Sequence, residues 1–220
     1  MLSKLYPYRF ELFFFSQIVI LFGSLLVPAS LFEVVLAPIL FQVNVISGIL
    51  LVSKKKKLMW FLIVLLIIVG VLYGINQANE NGLAIIDFIQ MGGYFLFYLI
   101  ITCELIFQVW KTKKVNIKVI FGLISGYISL GLIGFFICMS IELSHANSFT
   151  NLVVENGMSL TERLMYFSYV TLSTLGYGDI VPKTILAQKA AILISLLGQF
   201  YLVILTAVIV GKYINQKNEN

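Results

Sequence analysis

Charge is what this sequence has least of. Only 11% of its 220 residues are Asp, Glu, Lys or Arg, where a soluble domain carries roughly a quarter. Histidine occurs once, at position 145, and cysteine twice. Cys103 and Cys138 both fall inside apolar runs, so they give no disulfide framework and read as small buried residues. A single loop histidine supplies neither a base for a nucleophile nor a metal cluster, and no glycine-rich phosphate loop is present, so no enzymatic activity and no cofactor are expected. The net charge of +5 is not gathered into a basic stripe interleaved with aromatics, which argues against nucleic acid as a partner.

Apolar length takes the place of charge. The chain is 60% hydrophobic, with a mean hydropathy of +1.00. Runs of about 20 residues, enough to cross a bilayer, lie at roughly 10–27, 31–52, 58–76, 83–110, 115–141 and 185–213. The expected fold is therefore an all-α membrane protein with six transmembrane helices. A further apolar segment, 160–173, is too short to cross. With six crossings and both termini cytoplasmic, Lys4, Arg9, Lys54 to Lys57, Lys111, Lys113, Lys114, Lys118, Lys212 and Lys217 all fall on one side. The opposite side holds Arg163, Lys183 and the acidic loop "NQANEN" (76–81), with Lys189 just inside the sixth run. That asymmetry is the positive-inside pattern of a multi-pass protein of the cell membrane. The first run and "VPAS" (27–30) weakly resemble a signal peptide; Glu11 and the length of the run favour a retained anchor helix.

Smaller features are read against that frame of spans. Lys54 to Lys57 set topology, and anionic lipid headgroups are a second, physically reasonable partner for them. Glu33, Asp87 and Glu104 read as interfacial acids with access to water or headgroups, the alternative being a ligand or proton-sensing site. His145 reads as a solvated loop histidine. "GVLYG" (70–74) and "GLISG" (122–126) fit small-xxx-small helix packing.

The informative stretch is 142–184, between the fifth and sixth runs. "SLTE" (159–162) pairs Ser159 with Glu162 three positions on, a capping-box signal for a short helix over about 160–173. "TLSTLGYGDIVP" (171–182) follows, with Pro182 marking an exit turn. A short helix, a non-helical strand and a return to the surface make a re-entrant loop, tolerated at membrane depth only where protein or a water-filled path satisfies its backbone. Gly176 and Gly178 can take positive φ, letting successive carbonyls point the same way. Carbonyls of Thr174, Leu175, Gly176 and Tyr177, with the Thr174 hydroxyl, can then replace a cation's hydration shell. One chain supplies too few oxygens to cage an ion, so several copies around an axis are required. The negative end of the short helix, aimed at that axis, favours a cation below it.

"TLSTLGYGD" resembles the signature of tetrameric potassium channels. The resemblance covers about 159–211 and implies a homotetramer with K+ as the permeant ligand, ion sites at Thr174 to Tyr177, and Gly178 and Asp179 as support and outer mouth. It further implies that Tyr177 turns away from the pore and props the strand against the short helices. Gly198, nineteen residues after Asp179, matches a family hinge glycine, and helix packing accounts for it equally well. Gln199, Leu202 and Thr206 recur at helical spacing and resemble cavity-lining residues; interhelical hydrogen bonding is the other reading. Departures from the family pattern are Leu175 for a common valine, Tyr166 and Phe167 where many relatives carry a tryptophan pair, and Val170 where some carry a glutamate paired with the aspartate.

Residues 1–114 match only by architecture, as four helices ahead of a pore domain at 115–217. In voltage-gated relatives the fourth helix carries regularly spaced arginines, yet "LAIIDFIQMGGYFLFYLIITCELIFQVW" has no Arg or Lys. Each charge crossing the field is worth about 2.3 kcal/mol per 100 mV, so steep voltage opening is not expected. A non-selective cation channel, a potassium-transport subunit and a non-conducting scaffold are the alternatives. A single intact "TLGYGD" counts against each.

Overall fold

The computed structural model describes residues 2–28, 31–78, 84–112, 115–152 and 159–218; side chains at 33, 34, 76–78, 84, 87, 215, 217 and 218, among others, lie outside the described set. The elements run α1 (Leu2–Leu5), a 3-10 turn (Tyr6–Tyr8), α2 (Arg9–Phe22), a second 3-10 turn (Gly23–Leu25), a π-helical turn (Phe32–Leu36), α3 (Ala37–Leu51), α4 (Lys56–Ala78), α5 (Ala84–Lys111), α6 (Ile117–Ser144), β1 (Phe149–Thr150), α7 (Leu160–Leu172), β2 (Val181–Pro182) and α8 (Ile185–Asn218). The starts follow from local chemistry. Pro38 sits in the first turn of α3, where its missing N–H costs nothing. Asn116 and Ser159 cap α6 and α7 by accepting from the main-chain N–H of Val119 and Glu162.

Among the described residues, five helical stretches are long and apolar enough to cross a membrane: Tyr6–Leu25, Lys56–Ile75, Phe88–Lys111, Ile117–Ser144 and Ile185–Ile214. The remaining expected span, 31–52, takes a different form: a 15-residue α3 continued from the π turn before it. In that turn Ala37 N donates to Phe32 O, five residues back, directly ahead of Pro38, which has no N–H to donate, and Phe32 is buried.

α6 is the centre of the bundle. Of its apolar stretch 61% is buried, against 11% for α4, which lies at the edge. On one side α6 meets α5 and α2 and on the other α7 and α8. Toward the front helices an aromatic cluster fills the interface: Phe136 stacks on both Tyr94 and Tyr98, at centroid distances of 5.6 and 5.7 Å, and meets Phe41 edge-on. Beneath it runs a buried polar network. The Tyr98 hydroxyl donates to Asn44 Oδ1 at 2.6 Å, Asn44 Nδ2 donates to Ser16 Oγ at 2.8 Å, and Gln17 Nε2 donates to Ser129 Oγ at 2.7 Å. Hydrogen bonding of this kind ties helices together where burial against lipid gives no net hydrophobic drive.

At one end of the bundle the basic residues expected on a single side do come together. Lys55 pairs with Glu104 at 2.5 Å, Gln108 donates to Glu104 and accepts from Arg9, and Lys118 lies 3.4 Å from Glu11. Glu104 is only 7% exposed, so it is an internal ion-pair partner and not an interfacial acid in contact with water. Lys212 of α8 donates to the carbonyls of Val109, Trp110 and Thr112 at 2.5–3.2 Å, capping the negative end of α5.

Further expectations meet a mixed outcome. Gly122 and Gly126 of "GLISG" do pack, against Phe10 and Tyr201. Gly70 and Gly74 of "GVLYG" have nothing among the described residues within 4 Å of an added methyl, so no packing contact is seen for them there. Cys138 is buried, whereas Cys103 is exposed. Residues 79–81 of the acidic loop, Lys113, Lys114, and the side chains of Glu33, Asp87 and Lys217 lie outside the described residues.

Replacing Tyr98 by Phe leaves the buried Asn44 Oδ1 without its donor. It is expected to cost about 1–3 kcal/mol, read as a lowered thermal midpoint of the detergent-solubilised protein; an unchanged midpoint would contradict the network described above.

Candidate functional site

The site begins with how α7 is held. Its Ser159 cap starts the helix at Leu160 and its end at Leu172 comes within one residue of the expected 173. Two hydroxyls anchor it on α6: Ser168 Oγ donates to Gly131 O and Tyr169 Oη to Ile128 O, both at 2.7 Å. Gly131 lies directly under the Tyr169 ring and Gly134 under Ser168, so side chains at either place would push α7 away. From the other side, Ser195 of α8 donates to Thr171 O at 3.3 Å. Gly198 packs on the last turn of α7, where a methyl would overlap the Leu172 carbonyl oxygen. The packing reading of Gly198 therefore has a concrete contact behind it.

The helix end turns into a non-helical strand. Thr174 N donates to Thr171 O and Leu175 N to Val170 O, both at 3.0 Å, which closes the last turn. Then φ alternates: Thr174, Gly176 and Gly178 are positive at 59°, 56° and 81°, while Leu175 and Tyr177 between them are not. An alternation of this kind turns successive carbonyls toward one side of the strand, which an extended strand never does. The two glycines take this conformation freely. For Thr174 it costs about 1–2 kcal/mol, and nothing in the sequence advertised that strain.

Beyond the strand, a scaffold fixes the segment 179–182. Asn151 Nδ2 donates to Asp179 O at 2.9 Å, and Arg163 Nη1 donates to Asn151 O at 2.9 Å. β1 pairs antiparallel with β2, Phe149 opposite Pro182 and Thr150 opposite Val181. Glu142, at the end of α6, accepts from the main-chain N–H of Asn147, Ser148 and Phe149, and so sets the turn into β1. Interaction with the Asp179 carboxylate, with burial adding to it, raises the Tyr166 phenol's pKa above its usual value. Sequence reasoning had passed over Glu142 and Asn151; the turn-forming run "SHANSFTN" after α6 was the available signal for both.

All residues from Thr174 to Asp179 are exposed in the single chain, Leu175 and Tyr177 at 60% and 68%. On α8, Gln199, Leu202 and Thr206 form an exposed stripe beside the buried seam of Ile194, Gly198, Tyr201 and Leu205. Tyr201 pins that seam to α6, donating to Leu123 O at 2.6 Å.

Gly198→Ala is expected to lower thermal stability by about 1–3 kcal/mol, because a backbone carbonyl and not a flexible side chain must yield. Gly211→Ala on the same helix, with open space around it, should be neutral or stabilising by up to about 1 kcal/mol. Equal effects in thermal melts of the two variants would remove the contact argument.

Residues 122–215, which hold the whole of this site, match a family model described as an ion channel, while no curated protein and no solved structure matches the chain. With five helices among the described residues able to cross a membrane, the match supports an ion-channel domain in a multi-pass membrane protein.

Proposed function

We propose that this protein is a potassium-selective channel that conducts K+ passively through a homotetrameric filter built from Thr174, Leu175, Gly176 and Tyr177. The observation that carries the reading is the alternating φ at Thr174, Gly176 and Gly178, in a strand delivered by a short capped helix. Four such strands around an axis would offer rings of carbonyls, closed below by the Thr174 hydroxyls, in place of a hydration shell. The exposure of Leu175 and Tyr177 in a lone chain suits a strand whose outer surface awaits neighbouring copies. In this reading Gly178 and Asp179 shape the mouth, Gln199 and Thr206 line the cavity under the filter, and Gly198 serves as hinge as well as packing point.

The chain crosses the membrane six times with both termini cytoplasmic, α3 and its π turn forming the second crossing. The Lys-rich end then faces the cytoplasm, where exposed Lys56 and Lys57 attract anionic headgroups. α5 carries no Arg or Lys until Lys111, at its end, so voltage does little work on it.

Reconstitution of the full chain in liposomes tests the proposal. K+ flux well above Na+ flux, blocked by barium, is the expected result; equal permeation of the two ions would sink the potassium assignment, and a non-selective cation channel would replace it. In planar bilayers the open probability should change only shallowly with voltage. A steep curve carrying several gating charges would refute the reading of α5.

A further inference from the structure

A cavity of about 750 Å3 lies between the front helices and α7, within the roughly 300–1,000 Å3 span of small-molecule sites. Its front wall is the end of α2 with the π turn and the start of α3; its back wall is α7 and the residues after the filter strand. Two properties of the wall define an occupant.

The first is depth. Phe32 lines the cavity at the Asp179 end of the bundle and Phe41 lines it further in. Nine helical residues separate them, about 13 Å at roughly 1.5 Å each. That is close to the hydrocarbon depth of one leaflet, half of about 30 Å. The inner part, with Ile20, Phe41 and Tyr169, is apolar.

The second is charge, gathered at one end. Glu162, Arg163 and Asp179 line the cavity there. Arg163 Nη1 donates to Asn151 O, but its Nε is buried with no acceptor among the described residues. A buried guanidinium N–H left unpaired is costly, and an oxygen presented from the cavity would satisfy it. Two acids beside one cation disfavour a purely anionic visitor and suit a headgroup that carries both signs.

We propose that this cavity holds one phospholipid of the leaflet on the Asp179 side, zwitterionic and with a primary ammonium, as in phosphatidylethanolamine. The acyl chain fills the space between α2, α3 and α7. A phosphate oxygen accepts from Arg163 Nε, and the ammonium donates to the acidic edge formed by Glu162 and Asp179. A quaternary headgroup has no proton to donate there, and an anionic one lacks the positive charge. Tyr166 belongs to the same wall, so the lipid lies against Tyr166 and Asp179 behind the filter strand. Only this last consequence rests on the channel reading; binding itself does not.

Native mass spectrometry of the purified full-length protein in detergent, titrated with dioleoyl lipids carrying ethanolamine, choline or glycerol headgroups, tests the site. The ethanolamine lipid should be retained in preference to the other two. Arg163→Gln should weaken retention about tenfold, the loss of one charge-assisted hydrogen bond. Ala37→Phe, which fills the cavity from α3 without touching the charged end, should abolish it. Lys183→Gln, on the same side but outside the cavity, should leave it intact. The proposal is overturned if the three lipids are retained equally, if the glycerol lipid is preferred, or if Arg163→Gln and Ala37→Phe both bind like the parent. Disulfide formation between cysteines placed at 22 and 166 on different copies would also overturn it, by giving the cavity to a neighbouring chain.

Discussion

Side-chain hydroxyls that donate into main-chain carbonyls of α6 hold α7 and α8 in place. Ser168, Tyr169 and Tyr201 reach Gly131, Ile128 and Leu123 in this way, at 2.6–2.7 Å. Within a bilayer there is no hydrophobic drive to press one helix on another, so close approach and interhelical hydrogen bonds carry the association. Glycines 126, 131 and 134 make the approach possible, since a methyl at any of them meets Tyr201, Tyr169 or Ser168. The position of α7, and through it the start of the non-helical strand at Thr174, follows from the first two of these bonds, while the third ties α8 to α6. Serines that lack such a partner, among them Ser140 and Ser144, donate to carbonyls four residues back in their own helix, the default for a hydroxyl in a membrane helix.

The strand itself is the opposite case, a backbone kept from pairing. Thr174 is held in a left-handed conformation that an L-residue with a branched side chain adopts at a cost. The surroundings over-determine it. Turn bonds from Thr174 and Leu175 close the end of α7, and Asn151 with β2 fixes the far end beyond Asp179. Between those two anchors, no described residue donates to the carbonyls from Thr174 to Tyr177. Polar groups at membrane depth persist unpaired only where they line a cavity or path, so the strand and the proposed ion sites are one physical requirement seen twice.

Much of this was legible in the sequence because it rests on short-range chemistry. Ser159 and Glu162 announced the start of α7, the glycines announced positive φ at 176 and 178, and lysine spacing separated the two ends of the bundle. What escaped were contacts between residues far apart in the chain. Nothing local distinguishes Tyr169 from any other pore-helix aromatic, yet it reaches Ile128, 41 positions away. Glu104 looked like a surface acid because its partner, Lys55, sits in a lysine run whose obvious use is topology. The glycines of "GVLYG" show the reverse error: spacing alone invites a packing contact that α4, at the edge of the bundle, does not make among the described residues.

α5 carries no Arg or Lys before Lys111 at its end, yet it is tied to the end of α8. Among the described residues, the polar ties between the α5 end and the α8 end are the three hydrogen bonds of the Lys212 ammonium and the bond from Val115 N to Gln216 Oε1 at 3.0 Å. The ammonium meets carbonyls that a helix C-terminus leaves without intrahelical donors, so each side satisfies a need of the other. Any tilt of α8 that carries its end away from the axis of α5 must either break this cap or drag α5 with it. α5 in turn is tied to α3 through Tyr94, Tyr98 and Gln108, to α6 through the stacking of Tyr94 and Tyr98 on Phe136, and to the turn before α4 through the Glu104–Lys55 pair. A displacement at the end of α8 is thereby resisted by α5 and the helices packed on it.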